Sequence, residues 1–189
     1  MKDNVLEKHI NHIHALKTAG LALLLTACLS GVVRAASDTA TITITGTVKA
    51  STCTIDSDSA NKKVTLPDIA DRDIQGKGKT GGTKDIDIVL KDCGASVTTV
   101  LVTASGNADD ENTGAFKNSL TDGADGVALY FYKTDKTGLF NPQGNETETS
   151  TLTPSQDNTL TYQAAYVGTK DKVTAGAFST VVNMKFNYQ

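Results

Sequence analysis

Apolar side chains in this chain recur at every second position and almost never at helical spacing. Ala40, Ile42 and Ile44 alternate with Thr39, Thr41, Thr43 and Thr45; Ile86 and Ile88 alternate with Asp85 and Asp87. Val182, Met184, Phe186 and Tyr188 alternate with Asn183, Lys185 and Asn187. A period of two sends successive side chains to opposite faces of an extended backbone, whereas a helix needs a period near 3.6. These runs are short and stand between Gly, Asn, Asp and Ser clusters, the pattern of an all-β chain. The spacing predicts strands near 39–45, 47–55, 64–66, 84–90, 100–104, 127–132, 160–167 and 178–188. It also predicts a loop at 76–82, one helical turn at 115–120 and a turn at Asn141-Pro142-Gln143-Gly144. Seven or so strands in one uninterrupted stretch predict an immunoglobulin-like sandwich of two sheets. No internal repeat or linker divides it.

The first 35 residues differ in character. Lys2, Lys8 and Lys17 lie in a polar head, an apolar run covers 19–33, and Val33-Arg34-Ala35 ends it with small or aliphatic residues where a signal peptidase reads. This is the pattern of a secretory signal, too short and too broken for a membrane span, with cleavage expected after Ala35 or Ala36. Leu25-Thr26-Ala27-Cys28 also fits the site at which bacterial lipoproteins are cut and acylated. A chain acylated there would begin with the still-apolar Leu-Ser-Gly-Val-Val, an odd tether.

From residue 36 onward 14 Lys and Arg face 19 Asp and Glu, a net charge of about −5, and no basic cluster stands out. Nucleic acid is therefore a poor partner. All three histidines (His9, His12 and His14) fall in the leader, so the exported chain would carry no imidazole for a His metal site, a Ser-His-Asp triad or a Cys-His pair. Cys53 and Cys93 remain. In an oxidising compartment this even pair reads as one disulfide, and no C-x-x-C spacing favours a redox pair.

Other motifs fail in context. Gly78-Lys79-Thr80 resembles the end of a phosphate-binding loop, but the required glycine five positions before Gly78 is Asp73. The pairs Asp56/Asp58, Asp71/Asp73 and Asp85/Asp87 carry no sign of convergence across a substrate. Asp109-Asp110-Glu111 lacks the spacing and turn glycine of a calcium loop. Asn145-Glu146-Thr147 matches a glycosylation sequon within a polar loop. No cofactor, metal or small-molecule substrate is expected.

The two ends carry the strongest signal. The penultimate residue is Tyr188, Gly176 is fourteenth from the end, and Val182, Met184, Phe186 and Tyr188 share one face. The segment Thr41-Ile42-Thr43-Ile44-Thr45-Gly46 closes seven residues before Cys53, and Cys93 follows at its own spacing. Thr151-Leu152-Thr153-Pro154, Asn158-Thr159-Leu160 and Val173-Thr174-Ala175-Gly176 lie between. Together they resemble the subunits of chaperone–usher pili, closest to the minor adaptor subunits of type 1 fimbriae, across the whole chain after the leader.

The resemblance implies an incomplete immunoglobulin-like β-sandwich that lacks its last strand and keeps one disulfide. It implies a signal peptide at 1–35, a donor-strand arm at 36–46 and a pilin domain at 47–189. A periplasmic pilus chaperone would fill the resulting groove, pairing with the C-terminal strand of Gly176, Val182, Met184, Phe186 and Tyr188. At the outer-membrane usher, the arm of a neighbouring pilus subunit would replace it, with Ala40, Ile42, Ile44, Gly46 and Val48 on the donor strand. An alternating arm can pair its backbone with a sheet edge and seat every second side chain in a pocket. The expected product is a structural subunit of a cell-surface fimbrium that supports adhesion, without enzymatic activity. The competing reading is a periplasmic or lipid-anchored immunoglobulin-like binding module with a complete fold. The arm is short, with no glycine before Gly46, which fits an adaptor better than a shaft subunit.

Overall fold

The computed structural model describes residues 37–48 and 51–189. The expected leader, Cys28 included, lies outside the described residues. The chain divides between Thr47 and Val48, and the fold is that of the second unit, Val48–Gln189.

Nine strands form among the described residues: β1 (Thr54–Ile55), β2 (Thr80–Lys91), β3 (Thr99–Ser105), β4 (Phe116–Lys117), β5 (Val127–Tyr132), β6 (Leu139–Phe140), β7 (Gln143–Thr151), β8 (Asn158–Gly168) and β9 (Asn183–Tyr188). Six of them have six residues or more, and the other three have two. Among the described residues helix is confined to α1 (Ser57–Ala60), capped by the Asp56 carboxylate, and a 3-10 turn at Asp71–Ile74.

The larger sheet runs β1-β2-β8-β5-β4, with β6 also on β5; the smaller runs β7-β3-β9. Every strand pair is antiparallel. Antiparallel pairing lets each sheet keep one apolar face, and the two faces make the core. Val100, Val102 and Ala104 of β3 are 0%, 0% and 1% exposed, facing Leu90, Leu129, Phe131 and Tyr162 of the other sheet. The Phe131 ring stacks on Phe140 and Tyr162 at 5.9 and 5.7 Å. A disulfide joins Cys53 to Cys93 across 40 positions, tying the approach to β1 to the end of β2. Closing such a loop stabilises a fold by about 4 kcal/mol in the chain-entropy model.

The two-sheet all-β architecture matches the sequence reading, and the strands expected at 84–90, 100–104, 127–132 and 160–167 all form. Six local expectations need correction. No strand forms at 39–45, which has no ladder partner among the described residues, and of the strand expected at 47–55 only Thr54–Ile55 pairs. The helical turn at 115–120 is instead β4, because Phe116 and Lys117 pair with Leu129 and Ala128. Residues 64–66 form no strand, having no ladder partner before Pro67. The supposed loop at 76–82 already contains the start of β2, which bulges between Gly81 and Lys84. Gly82 there has φ +62°, and a Cβ on it would stand 2.7 Å from the Tyr166 ring; only glycine fits. The last strand pairs only over Asn183–Tyr188, not from 178.

Candidate functional site

The sequence places its strongest signal at β9, and there the sandwich is unfinished. β9 pairs with β3 on one side and with nothing among the described residues on the other. Its inward residues Met184, Phe186 and Tyr188 stand opposite Ala104, Val102 and Val100. The β3 partners are fully buried, yet the β9 residues are only half-buried. Adjacent strands with the same inward alternation normally share their burial, so one neighbour's worth of cover is missing from β9.

The backbone makes the same point. Gln189 and Thr99 exchange both of their hydrogen bonds, at 2.9 and 3.2 Å. In an antiparallel ladder such pairs alternate. Asn187, Lys185 and Asn183 therefore turn their N–H and C=O towards β3, and Tyr188, Phe186 and Met184 turn theirs to the open side. The preceding stretch continues the alternation. Ala177 O accepts from Ala124 N, and Ser179 O accepts from Ser119 N, both at 2.8 Å. The backbone N–H and C=O groups of the even-numbered residues from Gly176 to Tyr188 thus form one row turned to the open side. Thirteen residues at about 3.3 Å each make an edge of roughly 40 Å.

Beside this edge lies a cleft of about 1000 Å³. Its floor is the inner face of the larger sheet: Ile86 and Ile88 of β2, Leu129 and Phe131 of β5, Ala164 and Tyr166 of β8. Residues 173–184 and Phe186 make one wall, and α1 with the stretch through Val64, Leu66 and Ile69 makes the other. The Tyr188 hydroxyl finds no partner among the described residues, and burial raises its pKa. An apolar floor beside a row of free backbone groups suits an extended peptide that supplies both hydrogen bonds and side chains.

Gly176 lies outside β9 and serves close approach: a Cβ there would stand 2.5 Å from Ala124 N and 2.7 Å from Gly123 C. Val182 also precedes β9 and faces the cleft. Ala40, Ile42, Ile44, Gly46 and Val48 sit in a stretch that takes part in no strand, with Ile42 81%, Ile44 88% and Val48 99% exposed. Large aliphatic residues at such exposure are costly in water unless another surface covers them.

The carboxylates set aside earlier lie on the surface. Asp85 and Asp87 point outward from β2 and accept from Gln163 and Thr161 at 2.8 and 2.7 Å. Asp109 accepts from the amides of Glu111 and Asn112, closing its own loop. Sequence reasoning missed the second edge, β7. It carries no large apolar residue, and its only signal is the β-branched Thr147, Thr149 and Thr151 at alternate positions.

A family model described as fimbrial protein matches residues 42–189. The fimbrial subunit ElfA of Escherichia coli is 35% identical, the match covering 91% of this chain and 98% of that protein. The S-fimbrial protein subunit SfaG of Escherichia coli is 30% identical over 78% of this chain and 82% of its own. Among solved structures, a Burkholderia pseudomallei antigen and type I fimbria protein superposes with a TM-score of 0.55 at 29% identity, covering 72% of this chain and 89% of that one. The P pilus rod subunit PapA superposes at 0.60 and 24% identity, covering 72% and 99%; this second likeness speaks for the fold.

Proposed function

This chain belongs to the fimbrial protein family, and we propose that it joins its fibre by donating a strand to the open edge of the adjoining copy or subunit. It is a structural subunit of surface fimbriae, and its relatives are structural subunits rather than enzymes. In this reading residues 1–35 are a signal peptide, 36–46 the arm and 47–189 the receiving domain. Ala40, Ile42, Ile44, Gly46 and Val48 form the donor strand. Gly176, Val182, Met184, Phe186 and Tyr188 form the receiving edge. Before assembly, a periplasmic chaperone covers that edge with a strand of its own, and an outer-membrane usher supervises the exchange. An uncovered apolar edge invites aggregation, which is why a chaperone belongs in the scheme.

One observation carries the reading: β9 has inward side chains half in water beside β3 partners that are dry. The energetics agree. Burying an Ile is worth roughly 1.5–3 kcal/mol and a backbone hydrogen bond about 1 kcal/mol net. Several of each exceed 10 kcal/mol before the cost of ordering the arm, enough for a durable joint. Host attachment follows from the assembled fibre.

The test is to append a second copy of residues 36–48 after Gln189. At roughly 3 °C per kcal/mol for a domain of this size, Tm should rise by at least about 15 °C. Ile42→Asp and Ile44→Asp made together in the appended copy should remove the gain. An unchanged Tm in the fusion would end the strand-donation reading.

A further inference from the structure

Only the last six residues of the receiving edge are held by a strand. The stretch before β9 has no ladder, yet the Ala177 carbonyl and both backbone groups of Ser179 bond inward. The side chain that arranges this is Asn118, directly after β4. Its Oδ1 accepts from Leu120 N at 3.3 Å and from Ser179 N at 3.0 Å. Its Nδ2 donates to Ala124 O at 3.0 Å and to Ala177 O at 3.1 Å. Two lone pairs and two N–H groups are the full capacity of a carboxamide, and all four are used.

The four bonds fix two backbones against each other. Leu120 and Ala124 belong to the loop closed by Gly123 N donating to Leu120 O, and Ala177 and Ser179 belong to the edge. Close approach is possible because both sides carry glycine where they touch. A Cβ on Gly123 would stand 2.5 Å from Ala177 O, and one on Gly176 would stand 2.5 Å from Ala124 N. The loop is in turn anchored by the fully buried Phe116 two residues before Asn118. A chain of contacts therefore runs from the core through β4 and Asn118 to residues 177–179.

We infer that Asn118 is a positioning residue for strand uptake: it holds residues 176–180 extended, with the amides of Phe178 and Thr180 turned to the incoming strand. It lengthens the receiving edge beyond Asn183–Tyr188. The inference rests on the strand-donation reading and adds to it a residue that touches neither the arm nor the cleft floor. Aspartate keeps the acceptor half of the clamp and lacks the donor half, so it should act between asparagine and alanine.

The experiment adds a labelled synthetic peptide of residues 36–48 to the full chain and follows binding together with amide exchange. Asn118→Ala should weaken peptide binding by about tenfold, mostly through faster release. It should abolish the protection that the peptide gives Phe178 and Thr180 while leaving that of Met184 and Phe186 intact. Asn118→Asp should recover part of both. Equal loss of protection at all four positions, or normal peptide release from a less stable chain, would make Asn118 an ordinary stabiliser and overturn the inference. A wild-type chain that takes up no peptide would instead count against strand donation. The clamp is then judged in the unfilled chain, where Asn118→Ala should speed exchange of the Ser179 amide and unchanged exchange would sink it.

Discussion

Strands β7 and β9 flank the same central strand, and the rows they complete end in opposite chemistry. Across β3, Val102 lies between Glu148 of β7 and Phe186 of β9, and Val100 lies between Ser150 and Tyr188. On the β9 side the inward residues are aromatic and partly wet. On the β7 side they are a carboxylate and a hydroxyl. Glu148 Oε1 accepts from the amide of Thr134 at 3.0 Å and from its hydroxyl. Its Oε2 is buried without a partner among the described residues, so an apolar strand laid beside it would sit against an uncompensated charge rather than an apolar row, which penalises further pairing. Under strand donation the sheet would be closed to growth at one side and open at the other, which would give assembly a direction without any change in backbone geometry.

The sharpest way to break this comparison is to truncate matched residues. Phe186→Ala should cost about 3 kcal/mol in the arm-appended chain but only about 1 kcal/mol without the added strand, since the side chain is then half in water already. Val102→Ala on β3 should cost about 2 kcal/mol in both. Urea unfolding of the four variants and their two parents measures this; equal costs for Phe186→Ala in the two backgrounds would mean that β9 is a finished edge. The next test converts the closed edge. Glu148→Leu in the arm-appended chain should move the protein from monomer to dimers and larger species in sedimentation. Tm should shift by only a few degrees, because relief of a desolvated carboxylate offsets the lost bonds to Thr134. A variant that stays monomeric would mean the charge is not what guards β7.

The smallest effect concerns the third edge, β1. The Lys91 ammonium, hydrogen-bonded to Asp56 at 2.5 Å, holds that carboxyl below its usual range against the opposing pull of burial. A lowered carboxyl contributes stability above its unfolded value of 3.8, and that contribution fades as pH falls through the lower folded value. Acidification from pH 5 to 2 should therefore quicken amide exchange, taken relative to the intrinsic rate at each pH, at Ser59 and Ala60, behind the Asp56 cap, more than at Lys185 of β9. Uniform quickening would assign the response to the whole domain.

The comparison also explains what the sequence could and could not say. β9 was legible because its inward residues are large and apolar, and they stay so even though nothing in the same unit covers them. β2, β3, β5 and β8 were legible for the same reason. β7 escaped because an edge built to refuse partners carries Glu148 and Ser150 where a hydrophobic pattern would stand, leaving only alternate threonines. Residues 115–120 were misjudged because a lone Phe-Lys pair says nothing about Leu129 and Ala128 until the chain has folded. Val64 and Leu66 alternate like a strand, but they line the wall of the cleft and have no ladder to join. Residues 39–45 alternate in sequence, and Ile42 and Ile44 stand exposed in the fold; the donor role given to them remains a proposal. Asn118 left no trace in the sequence, because its role depends on loops that meet only in the fold.

The disulfide has a mechanical consequence. In a fibre joined through residues 37–48, tension entering a subunit along the backbone reaches Cys53 before it reaches the two residues of β1. The Sγ–Sγ bond passes that load directly to Cys93, at the end of the long β2 whose ladder with β8 spans the middle of the larger sheet. A ladder of only two residue pairs is shunted by a covalent link, so a pulled fibre would strain its joints before it unravels its subunits.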